Sequence, residues 1–196
     1  MFTSKFFQNF TKPATQGTGT FPVTKQEVEV EMQFQNFVKP SETPREIELA
    51  VDLIKKFEGY RDKAYLCPAN VWTIGFGTTY YPNGTKVKQG DVCTEQEARG
   101  WVANYIDKEI LGPINKNMPV LYTYSLLNCN QKAAIIDFCY NLGITNFLSS
   151  TLLKVMHENV NDARIRTELA KWNKAGGVVL QGLTNRRNAE IALYFS

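Results

Sequence analysis

The chain has 196 residues, 43% of them hydrophobic and 12% aromatic, with a formal net charge of +3 at pH 7. That composition is that of a folded globular protein and excludes a disordered one. The modest charge argues against dedicated nucleic-acid binding, and no stretch approaches the ~18 apolar residues of a membrane span.

Residues 1–42 differ from the rest and read as an N-terminal arm and linker. "TKPATQGTGTFP" is turn-forming material. In "VEVEMQF", Val28, Val30, Met32 and Phe34 alternate with polar residues, the period of a strand with one buried face. Such a strand needs a partner, either the rest of this chain or another protein. "MFTSKFF" is too short and too soon interrupted to be a signal peptide, which predicts synthesis in the cytoplasm.

From Thr43 the period becomes helical, and residues 43–196 read as one domain. Thr43 suits an N-cap, Pro44 the first helical position, and Glu46 would complete a capping box. Ile47, Ala50, Val51, Ile54 and Phe57 follow on one face. Gly59 ends the helix and leaves Glu58 in its last turn.

Residues 60 to 92 favour strands and turns. "WTIGFGTTYY", a turn at Pro82 to Gly84, and "TKVKQGD" predict a hairpin, with Thr73 in the first strand. Thr94 with Glu97 opens another capped helix, and the remainder is helical in period. Asn130, Ser150, Asn161 and Thr184 are expected N-caps. One small sheet beside a helical body makes the fold α+β. From Arg164 onward six Lys or Arg stand against Glu168 and Glu190. That excess reads either as a solvated helix face or as attraction to an acidic polymer.

Cys67, Cys93, Cys129 and Cys139 form no CxxC pair, and His157 is the only histidine. A metal site, structural disulfides and a Ser-His-Asp arrangement are therefore not expected. His157 reads as a surface residue. A carboxyl at an apolar helix end has its charged form disfavoured, so Glu58 is a candidate proton donor. Glycoside hydrolysis needs such a group at the leaving oxygen and, for inversion, a second group that holds a water. Cys67, nine residues on, and Thr73, six further, are candidates for that second role.

"EGYRDKAYLCPANVWTIGFGTT" resembles the lysozymes of glycoside hydrolase family 24, from T-even and lambdoid phages. Their pattern is Glu, eight residues, Asp or Cys, five residues, Thr, then Ile-Gly-Tyr-Gly. Glu58, Cys67, Thr73, Ile74, Gly75 and Gly77 match, with Phe76 for the tyrosine. "AIIDFCYNLG" and "WNKAGGVVLQGLTNRRNAEIAL" continue the resemblance, which covers about residues 45 to 196.

The resemblance implies a two-lobed fold and a muramidase that cleaves the β-1,4 bond between N-acetylmuramic acid and N-acetylglucosamine in bacterial peptidoglycan, with no cofactor. It makes Glu58 the general acid, lets Cys67 and Thr73 position the water, and places Tyr140 and Asn141 on the cleft wall. For Tyr140 core packing is an equal alternative. For Arg186 and Arg187 a structural role, pairing with acids or with helix ends, is expected over substrate contact.

Two departures stand out. Thr78 occupies a position often held by His. Asn70 replaces a common Gly, and Asn tolerates the left-handed backbone that such a turn needs. Cys67 is expected to stay mostly neutral at pH 7, because an ordinary thiol titrates near ~8.5 and a nearby carboxylate raises it. Two other readings stay open. One is a lytic transglycosylase, which needs no water-positioning pair. The other is a virion tail or baseplate protein that carries a lysozyme domain and docks through its arm. In either phage setting the site of action is the periplasm and wall.

Overall fold

The computed structural model describes residues 43–67 and 69–196. The strand expected at Val28 to Phe34 lies outside the described residues.

Helix α1 spans Arg45–Glu58 and starts one residue later than expected. Pro44 holds an extended backbone, and its carbonyl accepts from the amides of Ile47 (2.9 Å) and Glu48 (3.1 Å). The expected capping box is absent because Glu46 is engaged elsewhere. Its carboxylate meets Lys132 at 3.8 Å and accepts from Cys129 Sγ at 3.8 Å, which ties α1 to helix α5 (Cys129–Leu142). Ile47, Ala50, Val51 and Ile54 are buried as their spacing predicted. Gly59 then stops the helix at φ +70°, its amide donating to the Lys55 carbonyl.

Strand β1 (Arg61–Leu66) pairs antiparallel with β2 (Trp72–Gly75), in a register that sets Tyr65 opposite Thr73. Thr73 thus lies in the second strand, not the first. The hairpin expected around Pro82 to Gly84 survives only as a turn and one bridge between Tyr80 and Lys86. Glycine explains the difference. Gly75 at φ +66° and Gly77 at φ +99° fold β2 back, so that Ile74 and Thr78 exchange both backbone hydrogen bonds at 2.9 Å. A Cβ on Gly75 would also sit 2.8 Å from that of Ala98, so the position admits no larger residue without a shift.

Helix α2 (Glu95–Tyr105) carries the expected capping box between Thr94 and Glu97. It runs without a break into a π-helical turn, Ile106–Leu111, and a short α3, Gly112–Asn115. That π turn was not legible in the sequence. Helix α4 (Met118–Ser125) leads to α5, which opens on Asn128 rather than Asn130 because Asn128 and Gln131 cap each other reciprocally. Residues 133 to 139 of α5 are all buried, so this helix is the axis of the helical lobe.

Then come α6 (Ile144–Leu148), α7 (Thr151–Glu158), capped by Ser150 as expected, and α8 (Arg164–Ala170). Asn161 caps nothing: α8 opens at Ala163, where the Asp162 carboxylate takes the Arg164 amide at 2.8 Å. His157 is exposed and shares a hydrogen bond with Thr123.

A two-residue hairpin, β3 (Lys174–Ala175) with β4 (Val178–Val179), precedes α9 (Gln181–Tyr194). Neither short strand was expected. Because Leu180 ends this hairpin on the Asn173 carbonyl, α9 begins there, and Thr184 lies inside the helix instead of capping it. Helices α1 and α9 both pack on α5. The result is a small β lobe against a larger helical lobe, an α+β fold.

Candidate active site

Glu58 is where the sequence put it, at the end of α1, but its surroundings are not the apolar ones that its helix suggested. Its Oε1 accepts from Arg186 Nη1 at 2.6 Å. Arg186 reaches it from α9 and is itself clamped by Asp137 of α5, with Nε to Oδ2 at 2.9 Å and Nη2 to Oδ1 at 2.8 Å. Asp137 is fully buried and the Arg186 side chain 4% exposed, while that of Glu58 is 31% exposed. A two-pronged carboxylate fixes the plane of the guanidinium, and this plane fixes Glu58. The Phe57 ring, half-buried at the end of the apolar stripe, lies 5.5 Å from the same guanidinium.

Arg187, the next residue, points the other way. It donates to Asn141 Oδ1 at 3.1 Å, to the Trp172 carbonyl at 3.4 Å and to Glu190. Burial, followed by a hydrogen bond with Asp137, pushes the Glu190 carboxyl well above the usual range. Both arginines therefore pair with acids, as expected. The C-terminal cationic excess is not a bare charged face: two of its members are buried, and Arg164 and Lys171 pair with acids at the surface.

A cavity of about 450 Å³ opens between the lobes, and Glu58, Tyr140 and Asn141 line it. The Tyr140 hydroxyl donates across the lobes to the Phe76 carbonyl at 3.1 Å, and burial pushes that phenol well above its ordinary range. Its ring meets Tyr105 edge-on at 5.3 Å. Packing and wall-lining are thus the same residue's two faces. Thr78 also lines this cavity.

Cys67 lies in a second, adjoining cavity of about 590 Å³, which shares Thr79 and Tyr80 with the first. Its turn closes as predicted: Asn70 sits at φ +58°, and its amide donates to the Cys67 carbonyl at 2.8 Å. The thiol corrects an expectation. The backbone amides of Val71 and Ala69 hold its pKa below the ordinary thiol value, aided by Thr73, against the opposing effect of burial. Thr73 is 4% exposed, lines neither cavity, and donates its hydroxyl to the Val71 carbonyl at 3.0 Å. It props the Cys67 turn from beneath.

Comparison with known proteins matches residues 55–190 to the phage lysozyme family. The chain belongs to the phage lysozyme family. It is similar to the endolysin of Acyrthosiphon pisum secondary endosymbiont phage 1, 38% identical over 149 residues, covering 74% of this chain and 93% of that relative. It is 37% identical over 148 residues to the endolysin of Bacillus phage PZA, and there it spans about half of the relative's length, 53%. The muramidase domain of SpmX from Asticaccaulis excentricus superimposes with a TM-score of 0.59 at 29% identity, covering 75% of this chain and 95% of that one. The lysozyme is therefore a peptidoglycan-lytic glycoside hydrolase of two-lobed lysozyme fold.

Sequence reasoning missed five residues of this lysozyme's cleft: Thr79, Tyr80, Trp101, Val102 and Tyr105. Tyr80 is 54% and Tyr105 44% exposed, large apolar surface left open in a concavity. The signal available was the spacing of Trp101 and Tyr105, four apart on one face of α2. Among the described residues, no helix is long and apolar enough to cross a membrane.

Proposed function

We propose that this lysozyme hydrolyses the β-1,4 bond between N-acetylmuramic acid and N-acetylglucosamine, with inversion. Glu58 at the cavity wall, held by Arg186, is the observation that carries the reading. Arg186 occupies Oε1, and among the described residues no hydrogen bond is made to Oε2. Oε2 is then the oxygen that carries the proton to the leaving sugar. Cys67, with Thr73 behind it, holds the water that attacks the anomeric carbon from the opposite face. Tyr140 presents ring surface to the glycan. Asn141, its carbonyl oxygen occupied by Arg187, offers its amide hydrogens to sugar oxygens.

Digestion of purified peptidoglycan tests this. Fresh product should be the α anomer and heavier by one water than an anhydro sugar. Cys67→Asp should retain substantial activity, because a carboxylate can hold the same water, whereas Cys67→Ala should lose about 10²-fold through misplacement of the nucleophile. A β product, or a sugar thioether on Cys67, would make the cysteine a nucleophile; an anhydro product would make the enzyme a transglycosylase.

The endolysin names of the relatives favour action at the end of infection, on the wall of the host from within. The chain should then be absent from purified virions, and its detection there by mass spectrometry would assign it to wall penetration instead.

A further inference from the structure

Glu58 and the four charged groups behind it do not balance. Glu58, Asp137 and Glu190 meet two guanidiniums, those of Arg186 and Arg187, so full ionisation leaves one negative charge in excess. The Asp137 and Glu190 side chains are fully buried, and a buried excess charge is costly enough that a proton is taken up instead. Hydrogen bonding selects the acid that takes it. Asp137 has both oxygens occupied by the Arg186 fork, at 2.9 and 2.8 Å, and Glu58 reaches the cavity with its side chain 31% exposed. Glu190 has only Oε1 engaged, by Arg187 Nη2. Among the described residues, its buried Oε2 has no hydrogen-bond partner. A proton on Glu190 supplies a donor there, and burial followed by the resulting hydrogen bond to Asp137 holds that proton in place.

The other neighbours of α9 do not alter this balance. Cys139 of α5 faces Glu190 with its thiol pushed well up, first by burial and then by Glu190 itself. Helix α8 also packs on α9, but Arg164 pairs with Glu158 and Asp162, Glu168 with Lys171, and Arg166 lies over the Phe195 ring. We propose that Glu190 is a positioning residue for Glu58 and that it works as a neutral acid. It donates its proton to Asp137, and its lack of charge leaves the Arg186 guanidinium to Glu58. An ionised Glu190, with Oε1 4.0 Å from Arg186 Nε, would compete for that guanidinium and repel Asp137. Its bearing on the reaction rests on Glu58 being the acid; its protonation does not.

Glu190→Gln in the full chain tests this, because an amide keeps a donor for Asp137 and an oxygen for Arg187 but has no proton to lose. Below about pH 4.3 the wild-type carboxyl is protonated both folded and unfolded. Above it only the folded chain keeps the proton, so this contribution to stability is lost as pH rises toward the raised folded value. The variant lacks that loss. The ratio of folding constants from urea unfolding, variant over wild type, should therefore rise about tenfold between about pH 5 and 6. Parallel pH dependences would mean an ionised Glu190 and overturn the proposal. The second readout is kcat/KM for release of reducing ends from purified peptidoglycan. At alkaline pH the wild type should fall more steeply than the variant, by one further proton, because only the wild type loses the Glu190 proton and with it the hold on Glu58. Rate profiles of the same shape beside diverging stabilities would make Glu190 a structural acid alone and overturn its positioning role. Failure of Glu58 as the acid shows differently, as near-normal turnover by Glu58→Gln.

Discussion

Glu58→Gln should abolish wall lysis while the protein remains folded. The substitution keeps the side chain's size, and its amide oxygen can still accept from Arg186 Nη1, so the anchored geometry persists. What it removes is the transferable proton. General-acid catalysis contributes about 10²–10⁴-fold, and a leaving sugar alkoxide is poor enough to place this case at the upper end. The measurement is release of reducing ends from purified peptidoglycan, with the melting temperature compared in parallel. Near-normal turnover by a folded Glu58→Gln protein would remove Glu58 from the role of acid.

The second large effect is on stability. Asp137→Ala should cost about 3–5 kcal/mol, because it strips a nearly buried guanidinium of its two-pronged partner. Against a total of about 5–15 kcal/mol for a domain, that is a substantial share. The surface pair of Arg99 with Asp52, at 2.8 Å but 34% and 62% exposed, supplies the contrast: Asp52→Ala should change stability by about 1 kcal/mol or less. Urea midpoints with unchanged slope would report both. A small effect for Asp137→Ala would mean that Glu58, together with Glu190 at 4.0 Å from Arg186 Nε, satisfies the guanidinium. Activity should fall with stability at Asp137, since an unclamped guanidinium no longer fixes the Glu58 carboxyl, the proposed acid.

Local chemistry was the legible part of this fold. Gly59 as a helix stop, Asn70 in a left-handed turn and the Thr94–Glu97 box each depend on a few neighbouring residues, and each is present. The misplaced caps have two causes. Asn130 and Thr184 yield to adjoining signals, the Asn128–Gln131 box and the β3–β4 hairpin, whereas Glu46 is drawn away by tertiary partners, Lys132 and Cys129. The environment of Glu58 was illegible for the same reason. Its determining partner is 128 residues away, and no period or spacing links the two. The thiol of Cys67 was misjudged because only the folded turn reveals the amides of Val71 and Ala69 aimed at it. Nor could spacing show that Cys67 and Glu58 line separate cavities joined at Thr79 and Tyr80.

The arginine between Glu58 and Asp137 also makes the site a property of the whole domain. Its contact with Glu58 joins residues 128 apart in sequence, and the packing of α1 and α9 on α5 offsets the entropy of closing so long a loop. A chain that stops before Arg186 lacks both α9 and the anchor of the Glu58 carboxyl. The two ends of the domain hold its central carboxyl between them.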